Sequence, residues 1–273
     1  MMRSASRQAL AALQEQEAAV FNGRASADTL TGVAGELYSV ADLLVAQPRL
    51  RRTLGDPATA ADARTALLET LLSGKVSKQT LTLARAAVGL RWSSAWDLAD
   101  AIEGAGDDAL FAAAERGRSL DRVEDELFRF ERILDTEGEL AGTLDEFAVD
   151  PLRRIALLDS LVKDKVSPIT LELLRHAVAS QRKRSITLAI DDLLEKAAAR
   201  QARSVARVIS AVALTDAQQQ RLTAALSEMY GRAISVRTAL DPEVRGGLVV
   251  RVGDEVIDGS IATRFAEARA ALS

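Results

Sequence analysis

The chain has 273 residues and a formal net charge of −4, with 48% hydrophobic, 27% charged and 4% aromatic residues. That charge gives no global basis for binding nucleic acid. The absence of cysteine excludes disulfides, a thiolate nucleophile and a cysteine-held metal. The length suits two or three small domains, and the Ala- and Leu-rich composition favours helix over strand, because these side chains lose little rotamer freedom in a helix.

The first 20 residues, MMRSASRQALAALQEQEAAV, predict an amphipathic helix. Gln and Glu interrupt the apolar core that a signal peptide needs. No apolar run approaches the roughly 18 residues of a membrane span, and the cytoplasm is the expected compartment. Leu30, Val33, Leu37, Val40 and Leu44 then step by 3 and 4, which puts them on one helix face. The same steps recur 90 residues later at Leu120, Val123, Leu127, Phe130 and Leu134.

The recurrence extends well beyond the stripes. Residues 36–88 match residues 126–178 at 21 of 53 positions, without an insertion. The turn Lys75-Val76-Ser77 returns as Lys165-Val166-Ser167, where no hydrophobic period dictates it. The pattern therefore predicts an internal duplication, with two similar bundles at an offset of 90. In the second copy helices are expected near 119–135, 137–145, 151–163 and 167–180, with a long one over 184–202. Pro151 and Pro168 sit at helix starts, and Ser167 and Ser77 are the expected N-caps. Residues 95–117 must close the first bundle and open the second. One long helix or a kinked pair fits, with Gly104 and Gly106 as the weak point.

After about residue 203 the grammar changes. SVARVISAVAL alternates and is rich in β-branched residues, Thr215-Asp216 opens a helix to about Tyr230, and ISVRTAL alternates again. In GGLVVRVGDEVIDGS, Leu248, Val250 and Val252 share a face and Gly253-Asp254 suits a two-residue hairpin turn. Asp258-Gly259-Ser260 is expected to cap a last helix over residues 261–272. The fold class is therefore mainly α with a small α+β C-terminal domain: two tandem helical bundles over 1–105 and 106–200, then a β/α domain over 201–273.

This tail resembles the C-terminal signature of the delta subunit of F-type ATP synthases, called the oligomycin-sensitivity-conferring protein in mitochondria. The residues that carry the likeness are Asp241, Gly246, Gly247, Val252-Gly253-Asp254 and Val256 through Asp258, Gly259 and Ser260. ALFAAAERGRSLDRVEDEL from Ala109 and KVSPITLELLRHAV from Lys165 resemble helices of the family's N-terminal domain. The likeness covers about residues 106–273, and the first 105 residues are an extra helical copy. It implies a non-catalytic stator subunit. The helical domain would grip an N-terminal helix of an alpha subunit in the catalytic head. The C-terminal domain would join the b subunits of the peripheral stalk, resisting rotor torque. It also implies a peripheral position on the cytoplasmic face of the cell membrane, with no membrane insertion of its own and no cofactor. A generic helical scaffold or adaptor is the alternative, and the Gly246–Ser260 stretch discriminates against it.

No catalytic or metal constellation is evident from the sequence. His176 is the only histidine, and a structural or groove-edge role is expected for it. Gly246-Gly247 lacks the G-x-x-x-x-G-K-[ST] context of a phosphate loop. Asp121, Glu124, Asp125 and Glu126 read as a solvated helix face. Arg182-Lys183-Arg184 reads as a polar loop, and Trp92 and Trp96 as core or interface residues. The candidate groove for a partner helix lies in the second copy, with Leu110, Phe111 and Ala114 on one wall and Leu171, Leu174, Ala177 and Val178 on the other. The rival reading is that all seven fill the bundle core. On the groove reading, Ala114→Asp is expected to release the head and leave the bundle folded.

Overall fold

The structure is a computed structural model that describes residues 3–22, 25–146, 148–180, 185–203, 205–230, 234–241, 247–252 and 255–258. The chain divides into two compact units, Met1–Leu194 and Glu195–Ser273.

The first unit is helical: α1 Ser4–Phe21, α2 Ala27–Ala46, α3 Pro48–Gly55, α4 Ala61–Leu72, α5 Lys78–Gly89, α6 Ala95–Arg116, α7 Leu120–Thr136, α8 Gly138–Leu144, α9 Pro151–Val162 and α10 Pro168–Ala179. A further helix, α11 Ile186–Arg203, begins in this unit, and the division between units falls within it. Shifting α4 and α5 by 90 residues reproduces the bounds of α9 and α10. Both α1 and α11 fall on α6 under the same shift, one from each side. So α6 is at once the last helix of the first repeat and the first helix of the second. It runs unbroken for 22 residues, about 33 Å. Gly104 and Gly106 do not break it.

Local chemistry explains why the helices start and stop where they do. Ser77 Oγ accepts from Thr80 N at 3.3 Å, and Ser167 Oγ accepts from Thr170 N at 3.3 Å, each capping its helix. Asp150 caps α9 through Leu152 N, with Pro151 in the first turn, where its missing N–H costs nothing. At the other polarity, the buried Arg64 and Arg154 guanidinium groups donate to the terminal carbonyls of Leu54 and Leu144, at 3.1 and 3.0 Å. A cation at a helix C-terminus satisfies orphan carbonyls and opposes the dipole.

The core of the repeats is the expected pair of stripes. Leu30, Val33, Leu37, Val40 and Leu44 are buried, as are Leu120, Val123, Leu127, Phe130 and Leu134. Each such side chain removed from water contributes roughly 1.5–3 kcal/mol. The first stripe brings α2 against α6. By length and composition α2 would also pass as a membrane span, so one such helix is present among the described residues where none is expected from the run of the sequence. It passes on mean hydropathy despite Glu36 and Asp42, and its buried face packs into the bundle core.

The second unit holds a four-stranded sheet in the order β2-β1-β3-β4, with β1 Val205–Ser210, β2 Ser235–Leu240, β3 Leu248–Val252 and β4 Glu255–Asp258. β1 and β2 are parallel, so the chain crosses over between them through α12 Asp216–Tyr230, as parallel neighbours require. Thr215 and Gln218 form a reciprocal capping box at its start. β1 and β4 both pair antiparallel with β3. Ala206, Val208, Val250 and Val252 pack with Leu226 and Ile234 into one small core. Edge strand β2 is largely exposed: of the face expected from alternation, Val236 is half-buried and Thr238 exposed.

Candidate functional site

The seven groove candidates lie on two helices. Leu110, Phe111 and Ala114 on α6 are buried, as are Leu171, Leu174 and Val178 on α10; only Ala177 is half-buried. In the chain by itself six of the seven are core residues. Ala114 is fully buried, so a carboxylate there would go into apolar surroundings without a partner. Such a burial costs several kcal/mol, and the bundle itself would bear it.

The first repeat also reaches this region. Tyr38, on α2, stacks on His176 of α10 with ring centroids 3.6 Å apart and an interplanar angle of 10°. The Tyr38 hydroxyl donates to Asp107 Oδ1 at 2.8 Å, and His176 Nε2 lies 2.8 Å from Glu103 Oε1. Both carboxylates are on α6. Burial, then the charge of Asp107, pushes the Tyr38 phenol well above its ordinary range. Gly106 makes this approach possible: a Cβ there would lie 2.5 Å from Tyr38 Cε1. Its role is to admit a ring, not to weaken the helix.

A second constellation occurs twice. Glu126 Oε2 accepts from Ser167 N at 2.8 Å and from Thr170 Oγ1 at 2.6 Å. Glu36 Oε2 accepts from Ser77 N at 2.9 Å, Ser77 Oγ at 2.6 Å and Thr80 Oγ1 at 2.5 Å. Burial alone would raise both acids, but the donated hydrogen bonds outweigh it and hold both carboxyls below the usual range. Glu126 is therefore not part of a solvated face. It is buried, with Arg122 2.7 Å away on its outer side. Its neighbour Asp125 does behave as expected, in an exposed pair with Arg129. The sequence signal for the buried acid was present: Glu36, Ser77 and Thr80 all recur at plus 90.

The remaining candidates are placed as follows. Trp92 is core, its indole N–H donating to Ala87 O at 2.7 Å. Trp96 is partly exposed, with the Arg51 guanidinium 3.5 Å over its ring. Among the described residues no group of three metal-ligating side chains is present. In the tail, Asp241 N donates to Ser210 O at 2.9 Å, Gly247 takes φ +86°, and Asp258 ends β4 opposite Val249. The positive φ at Gly247 is one that side chains rarely adopt, which explains a glycine just before β3. Gly246, Gly253, Asp254, Gly259 and Ser260 lie outside the described residues, as do the basic run 182–184 and the expected last helix.

The family model for the ATP synthase delta (OSCP) subunit matches residues 108–272, which are 165 of the 273 residues. The chain is 43% identical over 268 residues to the ATP synthase subunit delta of Streptomyces griseus, covering 98% of each chain. It is 40% identical over 273 residues to that of Acidothermus cellulolyticus, covering 100% of both. It is 41% identical over 271 residues to the ATP synthase subunit b-delta of Mycobacterium sp. strain KMS, covering 99% of this chain and 61% of that one.

Proposed function

The chain belongs to the ATP synthase delta (OSCP) subunit family, and from that membership we propose the mechanical role described below. It is a peripheral-stalk subunit of the F-type ATP synthase, associated with that membrane-bound complex. In our reading it carries no catalysis of its own. The helical repeats hold an N-terminal helix of an alpha subunit of the catalytic head, and the unit from Glu195 onward joins the b-subunit stalk at the cytoplasmic face of the membrane. The observation that carries this reading is the match over residues 108–272 together with relatives that align along nearly the whole chain. The Mycobacterium relative, whose name joins b and delta in one chain, supports the stalk contact.

The repeat relationship suggests where the head helix sits. α1 and α6 are equivalent, and α2 packs along α6. Ala101, Ile102 and Ala109 are buried on α6, whereas their counterparts on α1 are half-buried at Ala12 and exposed at Ala11 and Ala19. α1 therefore exposes small residues, Ala11 and Ala19, at positions whose equivalents on α6 are buried, and we place the guest helix there. The buried strip in the second repeat offers only Ala177 at its rim.

The test is a pull-down of the catalytic head by the full chain and by Ala19→Asp and Ala177→Asp, with circular dichroism to confirm folding. Loss of about 1.4 kcal/mol is already tenfold in affinity. Ala19→Asp should lose the head by at least that factor, and Ala177→Asp should retain it. The reverse pattern would move the contact to the second repeat. Failure of the unaltered chain to bind either the head or the b stalk would remove the stator reading.

A further inference from the structure

We propose that Tyr38, His176, Glu103 and Asp107 form a latch that fixes the angle between the two helical repeats. The repeats share one helix, α6. A shared helix alone is an axis about which two bundles can rock. What stops rocking is a contact between elements that each belong to only one repeat. The Tyr38–His176 stack is such a contact, since α2 belongs to the first repeat and α10 to the second. Glu103 and Asp107 on α6 then orient each ring from below, at 2.8 Å in both cases. A phenol and an imidazole held face to face by two carboxylates are defined in direction as well as distance, which an aliphatic contact is not.

The duplication supplies the internal control. Shifted by 90 residues, Tyr38 becomes Phe128, His176 becomes Ala86, Glu103 becomes Leu13 or Leu193, and Asp107 becomes Glu17 or Ala197. Gly106, which admits the ring, becomes Gln16 or Lys196. The set therefore exists only at the junction, although the caps and buried acids of each repeat are written twice. Phe128, at the equivalent place in the second repeat, is 49% exposed, whereas Tyr38 is 8% exposed. Chemistry confined to the junction and absent from both equivalent positions serves the junction, not the bundle fold.

The experiment uses the full chain, which has no cysteine, so introduced thiols are unique. Ala66→Cys and Ala156→Cys place spin labels at equivalent exposed positions on α4 and α9. Pulsed electron–electron distance measurement then reports the spread of the inter-repeat angle. The unaltered junction should give one narrow distribution. His176→Ala should widen it about twofold at unchanged helical content, because touching residues at such a contact are energetically coupled. Tyr38→Phe, which loses only the bond to Asp107, should widen it less, and Phe128→Leu should leave it unchanged. A His176→Ala distribution that superposes on the original would overturn the proposal. So would loss of helical content in that variant, because the cluster would then hold the fold and not the angle. The measurement needs no head or stalk, so its outcome is separate from the stator reading.

Discussion

Glu126 accepts a 2.8 Å hydrogen bond from the backbone N–H of Ser167, 41 residues away, and Glu36 accepts the same bond from Ser77 at 2.9 Å. A carboxylate on the second helix of each repeat thus takes up an orphan donor at the start of the fifth. The acid and the cap hydroxyl cooperate, since Thr170 and Thr80 each donate to the same oxygen. This pairing ties the two helices at one point and fixes how far one can slide along the other.

Replacing Glu126 by Gln keeps the shape but puts a neutral amide where the charge-assisted bonds end. Hydrogen bonds to a charged group contribute roughly 1.5–3 kcal/mol. Glu126→Gln should therefore lower stability by about 2 kcal/mol in urea unfolding followed by circular dichroism. A loss below the error of the midpoint would show that the buried acid is not a structural tie.

The same pair predicts an acid limit. Both carboxyls are held below their ordinary value of 4.5 in the folded chain. A depressed folded value stabilises above the unfolded value, and that contribution is lost as pH falls through the folded one. Stability should be level near neutrality and fall steeply below about pH 4.5. The Glu36→Gln/Glu126→Gln double variant should lose less of its stability over the same interval. Parallel pH profiles for the two proteins would count against the assignment.

Glu131 shows the opposite sign. A hydrogen bond with the Asp191 carboxyl, then burial and further acidic neighbours, raises it. The bond requires a proton, so its benefit is present at low pH and is lost as pH rises through the raised value. Glu131→Gln should consequently be neutral near pH 4 and stabilising near pH 7, by under about 1 kcal/mol. Calorimetric melting at both pH values decides it, and destabilisation at neutral pH would contradict the pairing.

Gly106→Ala tests close packing against helix propensity. Ala is favoured over Gly by about 1 kcal/mol in a helix interior. Here the new Cβ would lie 2.5 Å from Tyr38 Cε1, and overpacking of this kind costs roughly 1–3 kcal/mol. The variant should lose stability in the natural background and gain it when combined with Tyr38→Ala. A gain in both backgrounds would mean that Tyr38 can move aside freely.

Ala114 supplies the last prediction, and it reverses the expectation drawn from the sequence. Since the side chain is fully buried on α6, Ala114→Asp should cost several kcal/mol and melt the helical unit rather than release a partner selectively. Thermal unfolding of the variant alone, before any binding measurement, distinguishes the two.

Much of this protein could be read from its residues in order. The 90-residue period, the buried stripes from Leu30 and Leu120, the caps at Ser77 and Ser167 and the change to strand grammar near residue 203 are local signals. Each depends on periodicity or on a side chain bonding its own backbone a few residues on, which is why sequence determines them. The family likeness was equally local, carried by the glycines and acids of the tail. The tertiary structure decided everything that depends on which faces meet. α6 corresponds to both α1 and α11 at an offset of 90 and is one unbroken helix shared by the repeats, so the boundary drawn at residue 105 falls in mid-helix. Glu126 is buried although its neighbours Asp121 and Asp125 are exposed. Leu110, Phe111 and Ala114 are core, because α6 is packed on more than one side. Tyr38 meets His176 across 138 positions of chain, a pairing that no periodicity encodes and that Gly106, by lacking a side chain, allows.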